Sequence, residues 1–320
     1  MKPRVAVIMG GYTSEHDISL KSGAVVMTHI DKDVYDTYAV RIDKDAWLVE
    51  VDGSWKPIDI ADFSSGDIRF DAVFNAVHGT PGENGELQAY FDSLQIPYTG
   101  CSAEVSSLTY NKTKTLEYLA PYGIAMATRI VLSSGDTIDT QKIVKKVGLP
   151  CFVKANQSGS SFGVSKVYEE NNLRAAIEVA HIEDSGVLIE SFLQGTEVSI
   201  GVITYQGKVH VLAPTEIVTD KDFFDFSAKY EGRSEEITPA RLSESQHEAL
   251  RIAAEKVYNA LGIKGMSRSD FIFVGDVPHF LEINTVPGLT EESLLPQQAK
   301  HAGISLRNLF GNALAEAMEK

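Results

Sequence analysis

The stretch Arg268-Ser269-Asp270-Phe271-Ile272-Phe273-Val274-Gly275-Asp276-Val277-Pro278-His279-Phe280-Leu281-Glu282-Ile283-Asn284 reads as a β-hairpin. Residues 271–274 and 279–283 supply the strands, and Gly275-Asp276-Val277 supplies the turn. Folding the chain about residue 276 sets Asp270 opposite Glu282 and Arg268 opposite Asn284. Strand side chains alternate between faces, so all four project from one side of the sheet. Their oxygens suit Mg²⁺, a hard cation that takes one or two protein carboxylates and completes its octahedron with phosphate oxygens and water. The solvent-facing side of an ordinary hairpin has the same pattern. Phe280, Leu281 and Ile283 mark the strand as buried and favour the inner-face arrangement.

Working back from the hairpin, Ser243 and Gln246 predict a capped helix with Leu250, Ala253, Ala254, Val257 and Leu261 on its inner face. Residues 198–204 and 208–212 predict a second hairpin about Tyr205-Gln206-Gly207. The polar stretch 219–239, long for a loop, predicts a lid or a disordered segment. Upstream lie strands at 151–154, 164–168 and 187–190, and a helix with Leu173, Ala176, Ile177 and Ala180 on one face. Residues 106–119, rich in Lys and Thr, read as one helix. At the N-terminus, 5–9 reads as a buried strand ending at Gly10-Gly11. Ser14 and Asp17 then have capping-box spacing before a stripe of Ile18, Val25, Val26 and Ile30. A further buried strand, 72–77, ends at His78-Gly79. Strand, turn, helix and strand in this order predict a parallel α/β domain over the first hundred residues.

Several segments have compositions that carry chemistry. Ser158-Gly159-Ser160-Ser161-Phe162-Gly163 follows Lys154 between two strands, and its successive N–H groups can cradle phosphate oxygens. It is neither a Walker A loop nor G-x-G-x-x-G, and a plain flexible loop has the same composition. Lys112 and Lys154, available to bridge phosphates, strengthen the phosphate reading. The strand 187–190 continues through Ser191-Phe192-Leu193 to Glu197, which suits backbone bonds to an adenine edge and a carboxylate for ribose; buried strands without ligands look alike. Glu15, at a helix N-terminus, can pair with a substrate ammonium or simply complement the helix dipole. His78 ends a parallel strand, where open α/β sheets place ligands, although a lone His there also serves structure.

The 320 residues are 43% hydrophobic and 23% charged, ordinary globular proportions. A formal net charge of −15 argues against nucleic acid as the main partner. Cys101 and Cys151 form no disulfide framework or metal spacing. No apolar run approaches the roughly 20 residues of a membrane span, and no signal-peptide core is present. The expected location is the cytoplasm.

Taken in chain order, Gly10-Gly11 through Ser19-Leu20, His78-Gly79 with Gly82-Glu83-Asn84-Gly85, Lys154 with Gly159-Ser160-Ser161-Phe162-Gly163, Ala228-Lys229-Tyr230, Arg268-Ser269-Asp270 and Glu282-Ile283-Asn284-Thr285-Val286-Pro287-Gly288 resemble the D-alanine–D-alanine ligase family. The resemblance covers essentially the whole chain. It implies a mixed α/β and α+β protein: an N-terminal doubly wound parallel α/β domain (1–103) followed by the two subdomains of an ATP-grasp fold (104–193 and 194–320). It implies ATP and two Mg²⁺ (or Mn²⁺) as cofactors, D-alanine as substrate, and a homodimer.

By position, the resemblance gives Lys112 and Lys154 to the ATP phosphates, and Ser161 and Phe223 to ATP binding. Glu190, Ser191, Phe192 and Leu193 go to the base, and Glu197 to the ribose. Asp270, Glu282 and Asn284 would bind the metals. Glu15, hydrogen-bonded with Ser160 and Tyr230, would hold the first D-alanine's ammonium near His78. Arg268 and the Gly288 N–H would form the oxyanion hole. Lys229, Ser293 and Leu294 would hold the second substrate. The activity implied is ligation of two D-alanines through a D-alanyl phosphate, for peptidoglycan precursors. The alternative is a D-alanyl-D-lactate ester or another ATP-grasp carboxylate–amine ligation, and Tyr230 argues against the ester. Ala155-Asn156 replaces the family's usual proline, and Phe224 and Phe226 replace frequent tyrosines. A nicotinamide-dependent oxidoreductase would need the absent G-x-G-x-x-G. A non-catalytic nucleotide-binding module would not need Arg268, Asp270, Glu282 and Asn284 together.

Overall fold

The computed structural model describes residues 1–159, 163–219 and 234–319. Its first sheet is built on β1 (Arg4–Gly10), which pairs in parallel with β2 (Asp36–Ile42) on one side and β7 (Ala72–Asn75) on the other. An antiparallel edge of β3 (Trp47–Val51) and β4 (Ser54–Pro57) extends β2, and β5 (Ser64–Ser65) with β6 (Ile68–Arg69) forms a separate small ribbon. Helices cover both faces, as a doubly wound sheet requires. On one, Val26 of α1 (His16–His29) and its C-cap Ile30 pack against Val5, Val7 and Met9. On the other, Leu87 and Phe91 of α2 (Glu86–Leu94) meet Ile8, Val40 and Ile42.

The inner face of α1 differs from the predicted stripe. Ser19, Ser22, Gly23 and Val26 are buried, whereas Ile18 and Val25 are half-buried. Close approach explains the preference for small residues, since a Cβ on Gly23 would lie 2.7 Å from the Met9 Cβ. The predicted capping box at Ser14 and Asp17 does not form; the N-cap is Glu15, without a side-chain capping bond.

Residues 106–119 are two helices, not one. Helix α3 (Ala103–Tyr110) stops where Asn111 turns extended, and α4 (Lys112–Leu119) starts there, with the Asn111 side chain accepting the Lys114 N–H at 3.0 Å. Asparagine is a strong N-cap residue, and it interrupts the run for that reason.

The second sheet has the order β10-β9-β11-β8 and is antiparallel. Its strands are β8 (Arg129–Ser133), absent from the sequence reading, β9 (Cys151–Ala155), β10 (Ser165–Val167) and β11 (Gly186–Ser191). Helix α5 (Thr140–Val147) and helix α6 (Leu173–Glu183) close its core, with Leu173, Ala176, Ile177 and Ala180 buried as their spacing predicts.

The third sheet is centred on β12 (Thr196–Tyr205). It carries β13 (Lys208–Val211), β14 (Thr215–Thr219) and β15 (Ser234–Ile237) on one side, and β16 (Met266–Val274) with β17 (Val277–Asn284) on the other. The ends of the stretch 219–239 therefore belong to a strand pair, Thr219 opposite Ser234. Helix α7 (Glu244–Ala260) opens with the predicted Ser243–Gln246 capping box and buries Leu250, Ala254, Val257 and Tyr258. Helix α8 (Leu294–His301) packs on β12, and α9 (Leu306–Met318) reaches the first sheet, where Phe310 meets Phe74 edge-on at 5.5 Å. Among the described residues, no helix is long and apolar enough to cross a membrane.

The decisive hairpin pairs Arg268 with Asn284 and Asp270 with Glu282, as predicted. The turn is shorter than expected. Val274 pairs with Val277, leaving a two-residue loop of Gly275-Asp276. Phe271 pairs with Phe280, so Leu281 is an extra residue that bulges out and shifts the register by one.

Candidate active site

A cleft of about 550 Å³ opens between the first sheet, the glycine–serine loop and the hairpin face. Glu15 and His78 line it from the N-terminal side, Lys112, Ser158 and Gly159 from the middle, and Glu197, Arg268, Asp270, Glu282, Asn284, Gly288, Ser293 and Leu294 from the last third. Ser160, Ser161, Phe223, Phe224, Phe226, Lys229 and Tyr230 lie outside the described residues.

The hairpin sets the charge of the site. Arg268 donates to Asp270 from Nε at 3.2 Å and from Nη2 at 3.1 Å, and the Ser199 hydroxyl donates to the same carboxylate at 2.6 Å. Glu282 lies 3.4 Å from the Lys112 ammonium, which also donates to the Ser158 carbonyl at 2.6 Å. The Asn284 Oδ1 accepts the Val286 N–H at 3.0 Å, which fixes the carboxamide. Two carboxylates directly opposed on a sheet repel unless cations lie against them. This set of hard oxygens, with a guanidinium and an ammonium beside it, fits Mg²⁺ and polyphosphate chemistry.

Glu15 reaches away from its own helix. A Cβ on Gly159 would lie 2.5 Å from Glu15 Oε2, and one on Gly79 3.1 Å from it, so the carboxylate sits between the turn after β7 and the glycine–serine loop. Gly288 touches Ser293 in a similar way, a Cβ there falling 2.8 Å from the Ser293 Oγ, which meets Thr290 Oγ1 at 2.8 Å.

Lys154 and residues 190–193 stand apart from this lining. Lys154 Nζ donates to Glu190 Oε2 at 2.8 Å. Burial works against the ammonium, but the Glu190, Glu282 and Glu197 carboxylates outweigh it and raise the Lys154 pKa above the usual lysine value. The Ser191 N–H donates to the Thr128 carbonyl at 2.9 Å, so the chain leaves the ladder at Phe192. The Phe192 ring lies 6.2 Å from Phe152 and carries the Lys166 ammonium 4.2 Å above it.

His78 is buried, and its ring nitrogens face Ser22 Oγ at 2.8 Å and the Val286 carbonyl at 2.9 Å. Burial lowers its pKa, the Glu15 charge only partly offsetting this. Glu83 also lines the cleft, with Oε1 4.0 Å from His78 Nδ1. Burial first, then the charge of Glu15, raises its pKa well above the ordinary carboxyl value. Glu236 on β15 lines the cleft too, its pKa raised by burial. The sequence reading assigned neither acid a role; Glu83 entered only as a letter of the Gly82–Gly85 motif.

The families described as "D-ala D-ala ligase N-terminus" and "D-ala D-ala ligase C-terminus" match residues 4–101 and 119–315. The chain is 55% identical over 315 residues to the D-alanine–D-alanine ligase of Flavobacterium johnsoniae, covering 97% of this chain and 98% of that one. It belongs to the D-alanine–D-alanine ligase family. Among solved structures of the fold, the VanG D-Ala:D-Ser ligase from Enterococcus faecalis superposes with a TM-score of 0.86 at 27% identity, covering 98% of this chain and 99% of that one. The D-alanine–D-alanine ligase from Bacillus anthracis complexed with ATP gives 0.81 at 28% identity, covering 99% and 97%. The two family matches leave residues 102–118, which carry α3 and most of α4, between them.

Proposed function

We propose that the chain joins two D-alanines to D-alanyl-D-alanine, using ATP and passing through a D-alanyl phosphate. The observation that carries the reading is a cleft in which Glu15, Lys112 and the opposed Asp270 and Glu282 converge, in a chain 55% identical to a D-alanine–D-alanine ligase over nearly its full length. The carboxylate of the first D-alanine attacks the γ-phosphorus and ADP leaves. The amine of the second then attacks the acyl phosphate, a C–N bond forms and inorganic phosphate departs.

Asp270, Glu282 and Asn284 would hold Mg²⁺, two ions on the family resemblance, which when bound supply charge neutralisation around the transferring phosphoryl group. Lys112 and Lys154 add positive charge there, and Ser161 and Phe223 contribute to ATP binding. Residues 190–193 take the base, and Glu197 the ribose. Glu15 holds the first ammonium, linked to Ser160 and Tyr230. Arg268 and the Gly288 N–H receive the oxyanion, a contribution of about 3 kcal/mol per donor in comparable sites. Lys229, Ser293 and Leu294 hold the second carboxylate. D-Alanine as second acceptor is supported by the 55% identity to the Flavobacterium enzyme.

Phosphate release with and without D-alanine, alongside chromatography of the products, tests the reading. D-Alanine should trigger stoichiometric ADP, phosphate and dipeptide. ATP consumption indifferent to D-alanine would refute it.

A further inference from the structure

The loop after β17 bends through Pro287-Gly288 on its way to α8, and the N-terminal domain grips it on both sides of that bend. On one side, the Val286 carbonyl meets His78 Nδ1 at 2.9 Å. On the other, the Leu289 N–H donates to Ser22 Oγ at 3.2 Å. Ser22 and His78 close the circuit, Oγ to Nε2 at 2.8 Å.

With a neutral imidazole, one arrangement of hydrogens satisfies this set. A carbonyl can only accept, so His78 Nδ1 carries the hydrogen, and the neutral ring presents a lone pair at Nε2. The Ser22 hydroxyl therefore donates to Nε2, and its oxygen accepts from Leu289. Burial, which disfavours the imidazolium, agrees with this tautomer. Ser22 is fully buried, and it does not line the cleft. It lies 267 positions from Leu289 in sequence.

We propose that Ser22 is a positioning residue for the second chemical step: directly through Leu289, and through His78 to Val286, it fixes the 286–289 segment and so aims the Gly288 N–H at the tetrahedral oxyanion. The proposal rests on the ligase reading above. In it, His78 acts as a strut between α1 and the oxyanion loop, with both nitrogens committed. The Gly288 N–H contributes when the amine nitrogen adds to the acyl carbon; the C–O bond to phosphate then breaks, its electron pair leaving on phosphate and the amine's surplus proton passing to that phosphate. It contributes little to the earlier transfer of the γ-phosphoryl group. Loosening the loop must therefore slow the two steps unequally.

The test is Ser22→Ala, which deletes one oxygen and places the best helix former on α1. With enzyme in excess over ATP and saturating D-alanine and Mg²⁺, rapid quenching gives first-order rates for ADP and for dipeptide. These rates do not depend on the folded fraction, so a merely structural role moves neither. ADP should appear within about twofold of the wild-type rate, while dipeptide formation slows by about 5- to 150-fold, the effect of the two lost hydrogen bonds. Equal slowing of both steps, slowing of ADP formation alone, or no change in either would overturn the proposal. Failure of the wild-type protein to make dipeptide would instead remove the ligase reading itself.

Discussion

Asp270 and Glu282 face each other across β16 and β17 because Leu281 bulges out of the ladder between them and the turn. With a two-residue turn and no bulge, Asp270 would pair with residue 281, and Glu282 would point to the opposite face. On the function proposed above, phosphoryl transfer depends on these opposed carboxylates. Asp270→Ala or Glu282→Ala should therefore leave a folded protein whose ATP turnover falls by roughly 100-fold or more, since cation-mediated charge stabilisation is worth several kcal/mol. Circular dichroism checks the fold and coupled ADP detection the rate. Turnover within a few-fold of wild type at saturating Mg²⁺ would remove these residues from the metal site.

Glu15 caps no backbone N–H of its own helix and lies against the glycine–serine loop. If it holds the substrate ammonium, Glu15→Gln should weaken D-alanine binding by about 10- to 100-fold, the range for a hydrogen bond to a charged group, with little change for ATP. Calorimetric titration of each ligand separately measures both. Unchanged D-alanine affinity would return Glu15 to a dipole-complementing role.

Lys154 and Glu190 form a buried ion pair at 2.8 Å. Glu190→Gln leaves the ammonium without its nearest counter-charge, and stability should drop by about 3–5 kcal/mol, as for other buried pairs deprived of one member. Urea denaturation reads this directly. A loss below 1 kcal/mol would mean that the remaining carboxylates suffice.

The His16 imidazole sits between Asp17 Oδ1 at 3.0 Å and Asp43 Oδ1 at 2.8 Å. The Asp17 hydrogen bond, then that of Asp43, raises its pKa above 6.5. A group whose folded pKa is raised contributes stability that is complete below its unfolded value and lost as pH climbs through the folded one. The urea midpoint of His16→Asn should thus trail wild type most below pH 6.5, with the gap narrowing above it. A gap independent of pH from 5.5 to 8.5 would mean that packing, not charge, holds His16.

How much of this was legible in the sequence varied with the range of the forces involved. Alternation along 268–284 gave the opposed acids correctly, yet by compensating errors, a turn one residue too long standing in for the unseen bulge at Leu281. The Leu173–Ala180 face and the Ser243–Gln246 cap were readable because they are local patterns. Asn111 was also readable in principle, as an N-cap residue before Lys112, but the Lys/Thr run around it masked the break. The small face of α1 was not, since only contact with Met9 explains Gly23. Nor were the raised pKa of Glu83 and the Ser22–Leu289 bond, because both depend on burial between segments far apart in the chain.

The central claim is that one cleft phosphorylates a D-alanine carboxylate and then exchanges phosphate for an amine. It is tested most directly with D-alanine carrying ¹⁸O in its carboxylate, together with ATP and Mg²⁺, by mass analysis of the phosphate released. Attack of that carboxylate on the γ-phosphorus predicts one labelled oxygen in phosphate for every dipeptide formed. Dipeptide accompanied by unlabelled phosphate would contradict the acyl phosphate and, with it, the roles given to Arg268 and Gly288.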